Sequence, residues 1–194
     1  MKIYIDEEYA FTLYAGEIRT CGIEQGREID PQVYRDIMEE LLPRRAKLRA
    51  MNLLTKRPYT VAQLKDKLQM GGYPDTIVQE ALAYVASFGY VDDERYARDY
   101  IESGMERRSK RRIFADLLIR GVPEEIIRNA WENVAGVESG ELEKEQISRW
   151  LVKKNFSVNE AGPKEKQKMM AFLYRKGFDT ENIRSVLLLD NTSV

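Results

Sequence analysis

The chain has 194 residues, 43 % hydrophobic and 32 % charged, with a formal net charge of −1. That apolar content supports a packed core, and the balanced charge removes any global pull toward nucleic acid. One cysteine, no histidine and no long apolar run exclude a disulfide framework, histidine chemistry and a membrane-spanning helix. The charge is nevertheless uneven. Residues 1–43 carry four basic and ten acidic side chains, residues 44–136 carry 17 and 13, and residues 137–194 carry ten and nine. An acidic head therefore precedes a basic middle. Cys21, with no histidine to activate it, reads as a structural thiol. The N-terminus lacks a signal-peptide core, which predicts a cytoplasmic protein.

In chain order, Lys2 to Ile5 and Tyr9 to Tyr14 are β-prone around the turn Asp6-Glu7-Glu8. This predicts a hairpin, with a third short segment possible near Glu17 to Glu28. Asp30 then caps a helix with Pro31 at its first position, Val33, Tyr34, Ile37, Met38, Leu41 and Leu42 form its apolar face, and Pro43 marks its end. From Arg44 the pattern is helical to about Lys56, and Arg44, Arg45, Lys47 and Arg49 have no acid among them. Thr60-Val61-Ala62-Gln63 is a capping box that opens the next helix, which Gly71-Gly72 ends. That Gly-Gly pair is a helix stop, since no Gly-Lys-Ser/Thr follows to make a phosphate loop. The helix after Pro74 buries Ile77, Val78, Ala81, Leu82 and Val85 and closes near Gly89.

Gly89 to Trp131 predicts three further helices. Asp92 caps the first, Asp93 and Glu94 lie where the helix dipole favours acids, and Tyr96, Ala97, Tyr100, Ile101 and Gly104 form one stripe. Ser109 caps the second, whose apolar face is Ile113, Leu117 and Leu118 and whose stop is Gly121. Pro123 opens the third, with Ile126, Ile127, Ala130 and Trp131 inward. After a loop from Gly136 to Gly140, Glu141 begins a helix with Leu142, Ile147, Trp150 and Leu151 inward. A longer loop, Asn155 to Gly162, leads to a helix from Pro163 to Gly177 and a last one from Thr180 to about Leu189.

Aligning these units on Gly72, Gly121 and Gly177 exposes a repeat. Eight residues earlier stand Leu64, Ile113 and Met169, and four earlier Leu68, Leu117 and Leu173. One later stand Tyr73, Val122 and Phe178, six later Val78, Ile127 and Ile183, and ten later Leu82, Trp131 and Leu187. All are apolar, which is the mark of stacked helical units presenting an extended surface. The expected fold is all-α: a tandem array of three three-helix repeats (44–90, 91–136, 137–194) after an acidic segment, 1–43, made of a hairpin and a helix.

One stretch breaks the local rules. Lys110, Arg111 and Arg112 occupy the first turn of a helix, where the dipole disfavours cations by about 0.3–1 kcal/mol each, and Arg107 and Arg108 crowd them. A charge run is most often a solvated face. This clustering at the wrong helix end favours a site for phosphate or for an acidic protein surface. Aromatics recur near the basic residues (Tyr59, Tyr73, Tyr84, Phe88, Tyr90, Tyr96, Tyr100). They could stack on bases, but their helical spacing reads as core and none is assigned to stacking.

Phe88-Gly89-Tyr90-Val91-Asp92-Asp93-Glu94-Arg95-Tyr96-Ala97 resembles a signature of the RecX regulatory proteins. Lys56-Arg57-Pro58-Tyr59-Thr60 with Leu64, Lys67 and Leu68 is similar to that family's first repeat, and Arg111-Arg112-Ile113 with Leu117 and Arg120-Gly121 to its second. The resemblance spans about residues 44–190 and is weakest in the third repeat, with its long loop and Asn182. It implies a modulator of the RecA recombinase that lies in the groove of the RecA–DNA filament. Family members typically inhibit ATP hydrolysis, strand exchange and coprotease activity, though some stabilise or stimulate. It implies roles in recombination, DNA repair and the SOS response, no cofactor, no metal and no active site, hence not an enzyme. On this basis Arg107, Arg108, Lys110, Arg111 and Arg112 are the expected main contact to RecA and DNA, helped by Lys56, Arg57, Lys65 and Lys67. The expected partners are the RecA filament and, weakly through the backbone, single- or double-stranded DNA; the chain is expected to be a monomer with no membrane partner.

Two competing readings carry weight. The units look like helix-turn-helix modules, yet the candidate recognition helices after the glycines carry Asp75, Glu80, Glu124 and Glu125, which argues against groove reading. Any DNA binding without RecA is then sequence-independent and salt-steep. An enzyme is the poorer alternative, because Asp92-Asp93-Glu94, the compact acid cluster, is explained as a cap with dipole-favoured acids.

Overall fold

The computed structural model describes residues 1–136 and 139–188. It is a tandem series of three three-helix repeats behind a small hairpin and helix, and it separates into two compact units that divide after Asp93.

In the first unit β1 (Lys2–Ile5) pairs antiparallel with β2 (Glu8–Thr12). Asp6 and Glu7 form the turn, both at positive φ (50° and 69°), as the primed turns that match strand twist demand. The third β-like segment expected at Glu17–Glu28 is not a strand. The Glu17 carboxylate accepts the Tyr14 N–H at 2.7 Å and starts a short helix instead, α1 (Ala15–Thr20).

Asp30 and Pro31 open α2 (Pro31–Asp36) as expected, with the Gln32 N–H donated to Asp30 at 2.7 Å. Pro43 does not end this helix. A π-helical turn, Ile37–Leu41, carries the chain into α3 (Leu42–Leu54), and the Leu42 N–H is donated to the Ile37 carbonyl, five residues back. A proline inside an α-helix lacks a donor and its ring collides with the carbonyl of the preceding turn. Widening that turn relieves both demands, so Pro43 lies buried near the start of α3.

The Thr60 hydroxyl accepts the Gln63 N–H at 3.1 Å and opens α4 (Val61–Gln69), and α5 (Asp75–Ser87) follows the double glycine. One core unites the unit: Phe11 and Leu13 from the hairpin, Ile37 and Leu42, Leu64 and Leu68 from α4, and Val78, Ala81 and Val85 from α5. The acidic head is therefore a structural part of the first repeat. Its docking point is Gly72, whose carbonyl accepts the Tyr9 hydroxyl at 2.9 Å and the Thr12 N–H at 3.2 Å. Gly72 has φ +78°, and a Cβ there would lie 2.7 Å from the Tyr9 hydroxyl.

The second unit follows from α6 (Asp93–Gly104) through α7 (Lys110–Ile119), α8 (Glu124–Ala135), α9 (Ser139–Lys153), α10 (Pro163–Arg175) and α11 (Thr180–Leu187). It has two cores. Ala97, Ile101, Ile113, Leu117, Ile127 and Trp131 form one; Ile147, Leu151, Leu173, Phe178, Ile183 and Leu187 form the other. Helix α9 begins two residues before the expected Glu141. Val137 and Glu138 of the expected loop, and Leu189 at the expected end of the last helix, lie outside the described residues.

The repeat aligned on the three glycines holds in three dimensions. Each of its apolar positions is buried except Met169, which is half-buried, and Gly72, Gly121 and Gly177 share φ of +78°, +79° and +89°. Two expectations of burial fail. Leu118 is 47 % exposed although its neighbour Leu117 is fully buried, because one step along a helix turns the side chain by about 100°. Tyr84, Phe88 and Tyr90 stand exposed as a ladder of rings, 5.1 and 5.6 Å between centroids, whereas Tyr59 and Tyr73 are core.

Candidate functional site

The basic run lies in the second unit, at the link between α6 and α7. Ser109, almost fully buried, organises it. Its hydroxyl accepts the Arg112 N–H at 3.4 Å, capping α7, and is donated to the Lys176 carbonyl at 2.9 Å, at the end of α10. The carboxyl end of α10 thus abuts the amino end of α7. The negative half of one dipole meets the positive half of the other, which offsets part of the cost of placing cations at the start of α7. Gly177 permits this approach: φ is +89°, and a Cβ would stand 2.7 Å from the Ser109 hydroxyl.

This seam divides the run, whose five cations are all exposed. Arg107, Arg108 and Arg112 line a groove of about 520 Å³ together with Arg120, Arg175 and Lys176. Asp116 is the one carboxylate among its described lining residues, and it is only 14 % exposed. It holds Arg112 at 3.1 Å and Arg108 at 3.5 Å and accepts the Tyr100 hydroxyl at 3.1 Å. Arg108 also donates to the Tyr100 hydroxyl and lies over its ring, while Arg120 donates to Tyr96 at 2.8 Å and packs 4.4 Å from the Tyr100 centroid. Tyr100, expected as plain core, lines the groove beneath Arg108 and Arg120, and Tyr96, also expected as core, holds Arg120. A groove with six cations and one acid suits a polyanion whose charges are spaced along a backbone.

Lys110 and Arg111 turn to the other side of α7. The Lys110 ammonium lies 5.4 Å from the Phe114 centroid and 5.3 Å from that of Trp131, and Arg111 lies 5.6 Å from that of Tyr174. There they rim a second cavity, also about 520 Å³, walled by Phe114, Leu118, Tyr174 and Phe178.

The four supporting residues of the first unit do not form a comparable patch. Lys56 and Arg57 are exposed beyond the end of α3, and Arg57 stacks 3.9 Å over the buried Tyr59. Lys65 and Lys67, both half-buried, project about 200° apart around α4, so α4 does not present them together. Asp93 has a structural role that spacing did not reveal. Its carboxylate accepts the Val61 N–H at 2.9 Å and so completes the cap of α4 begun by Thr60. Burial pushes the Asp93 carboxyl above its ordinary range, against the lowering effect of that hydrogen bond. Cys21 is a free, half-buried thiol, held protonated by burial and by Glu17 and Asp36.

Arg120, Arg175 and Lys176 join the groove from positions that no local charge run marks. Arg175 and Lys176 stand at the carboxyl end of α10, where the dipole favours cations; only the α7–α10 seam brings them to Arg112. Among the described residues no cluster of three His, Cys, Asp or Glu could hold a metal ion, and no helix is long and apolar enough to cross a membrane.

Comparison with known proteins agrees with the repeat. Residues 46–84, 92–130 and 141–187 match family models described as the first, second and third three-helix domains of RecX. The chain is 37 % identical over 188 residues to "Regulatory protein RecX" of Caldanaerobacter subterraneus subsp. tengcongensis, covering 96 % of this chain and 91 % of that protein. It is 26 % identical to the protein of the same name from Clostridium acetobutylicum, over 96 % and 88 %. A solved structure, "Crystal structure of regulatory protein RecX", superimposes with a TM-score of 0.66 at 21 % identity over 97 % of this chain and 92 % of that one. RecX from Lactobacillus salivarius does so with a TM-score of 0.65 at 18 % identity, over 77 % and 97 %; both show the fold. With a relative at that identity along nearly its whole length and all three domain models matched in order, the chain belongs to the RecX family of regulatory proteins.

Proposed function

We propose that this chain binds the nucleoprotein filament of the RecA recombinase and inhibits its ATP hydrolysis, strand exchange and coprotease activity, and so acts in recombination and DNA repair. Membership of the RecX family supports the reading. The observation that carries it is the groove at the α7–α10 seam, where Arg107, Arg108, Arg112, Arg120, Arg175 and Lys176 face a single carboxylate. A filament groove offers DNA backbone and protein surface together, and the two sides of the seam suit the two chemistries. In this reading residues 44–90, 91–136 and 137–194 are the repeats, with the acidic segment 1–43 bound to the first. The main contact is Arg107, Arg108, Lys110, Arg111 and Arg112; Lys56, Arg57, Lys65 and Lys67 contribute less.

The test is ATP hydrolysis by the cognate RecA on single-stranded DNA with this protein titrated in, beside binding to the DNA alone. Hydrolysis should fall at concentrations where the protein by itself barely binds DNA. Charge reversal at Lys110, Arg111 and Arg112 should remove the effect and leave helicity intact. Tight DNA binding with no change in hydrolysis would instead make the chain a sequence-independent DNA-binding protein acting without RecA. Its affinity would then weaken by about 0.9 log unit per log unit of salt for each phosphate neutralised.

A further inference from the structure

We infer that Trp150 is a base-stacking position in the basic groove, so that single-stranded DNA is held there by the face of one base as well as by its phosphates. The inference rests on reading the groove as a site for DNA, and it names what that site grips.

The fold treats the chain's two tryptophans differently. Trp131 is 4 % exposed, inside the core of the second repeat. Trp150, on α9, is only partly buried. It packs against the core of the third repeat and lines the groove together with Arg112, Arg175 and Lys176. An edge-to-face contact with Phe172, 5.5 Å between centroids at 71°, holds the ring in place.

The charged groups over this ring are ammoniums on long, flexible stems. The Lys176 ammonium lies 4.9 Å and the Lys153 ammonium 5.1 Å from the Trp150 centroid. Among the described residues neither lysine pairs with a carboxylate. An ammonium over an exposed ring is favoured by about two- to fivefold. A base stacked on an aromatic side chain gains about five- to hundredfold in binding. A base therefore displaces the ammonium, and the freed cation turns to the phosphates that flank the base.

The other aromatic residues of the groove are not available for stacking. Tyr100 carries the guanidiniums of Arg108 and Arg120, 5.4 and 4.4 Å from its centroid, and its hydroxyl is bonded to Asp116. Phe178 is 3 % exposed. Trp150 also separates DNA from an acidic protein surface, which would pair with the same cations. The face of an indole is negative and repels a carboxylate, whereas every nucleobase has a flat face that stacks on it.

The experiment titrates the full chain with an eight-nucleotide oligothymidylate and with an abasic strand carrying the same number of phosphates. Anisotropy of the labelled strand gives the affinity, and tryptophan emission reports the stack, with Trp131→Phe leaving Trp150 as the one emitting tryptophan. The oligothymidylate should quench Trp150 and bind about tenfold tighter than the abasic strand. Arg175→Glu should weaken both strands, and Trp150→Leu should erase the preference between them. Far-UV circular dichroism checks that Trp150→Leu keeps the fold; the comparison of the two strands on the parent chain needs no substitution at all. Equal affinity for the two strands overturns the inference. So does a preference that survives Trp150→Leu in a folded chain, or one that comes without quenching of Trp150. In each of these cases weakening by Arg175→Glu would leave the groove standing as a phosphate site. If Arg175→Glu weakens neither strand, the DNA reading of the groove falls and the inference with it.

Discussion

Two arginine-rich stretches look alike in the sequence and are used in opposite ways. Arg44, Arg45, Lys47 and Arg49 lie on α3; Arg107, Arg108, Lys110, Arg111 and Arg112 straddle the start of α7. On α3 the central guanidinium is consumed by the fold. Arg45 is 15 % exposed, pairs with Glu17, donates to the Thr12 carbonyl at 2.6 Å and to the Tyr73 hydroxyl at 3.2 Å, and lies between the rings of Tyr14 and Tyr73. Lys47 pairs with Glu80 at 2.6 Å. At α7 one acid, Asp116, serves two of five cations, and the rest face solvent and aromatic rings. A charge run is left available for binding only where tertiary structure withholds carboxylates and carbonyls from it. The acidic head takes Arg45 out of the first run through Glu17, α5 pairs Lys47 through Glu80, and Arg44 and Arg49 stay exposed.

That contrast can be broken most forcefully at Arg45. Arg45→Met would leave the Glu17 carboxylate and the Thr12 carbonyl without their donor in a largely buried place. It should cost about 3 kcal/mol of stability in urea unfolding. Arg111→Met, at an exposed position with no carboxylate, should change stability by less than about 0.5 kcal/mol and act on binding alone. Comparable losses from the two substitutions would show that the α7 run is also structural.

Next in size is the seam that separates the two sides of α7. Gly177→Ala demands a left-handed backbone from an L-residue and drives a Cβ against Ser109. A loss of about 2 kcal/mol is expected, accompanied by loss of protection from hydrogen exchange at the first turn of α7. If stability falls while that turn stays protected, the Ser109–Lys176 link is not what positions the cations.

A smaller effect is expected at Asp116. Asp116→Asn removes the groove's one carboxylate among the described lining residues while keeping an acceptor for Tyr100. Affinity for single-stranded DNA should rise by about threefold at low salt, and the gain should fade as salt screens it. Weaker binding would mean that Asp116 matters more by orienting Arg108 and Arg112 than by its charge.

The smallest effect concerns Asp93, where the first unit uses an acid rather than a cation. Its carboxyl is raised above the ordinary 3.8 in the folded chain, so the folded state holds the proton more tightly. The carboxyl's favourable contribution is present in full below the unfolded value and is lost as pH rises through the folded one. Asp93→Asn keeps an oxygen for the Val61 N–H and does not titrate. Relative to the parent, the variant should gain stability as pH rises through and above the ordinary carboxyl range. Asp93→Ala, lacking the acceptor, should be less stable than either near neutral pH. A variant-to-parent difference independent of pH would show that the carboxyl is not desolvated.

The repeats were legible in the sequence because their causes are local. Thr60 and Ser109 cap the residues just after them, Gly72, Gly121 and Gly177 supply the left-handed stops, and the apolar positions around them repeat at fixed distances. The fold class and the place of the basic run follow from such short-range chemistry, as does the family resemblance. What spacing could not supply depends on partners far along the chain. Pro43 continues a helix because a π turn forms before it, and Asp93 caps a helix more than thirty residues earlier. Phe88 and Tyr90 face water although the pattern suits a core. Above all, Arg112 meets Arg175 and Lys176 only because the end of α10 packs on the start of α7. Helix ends and apolar stripes are written within a few residues. Which charges are neutralised, and which are left to bind something else, is settled only when distant elements pack.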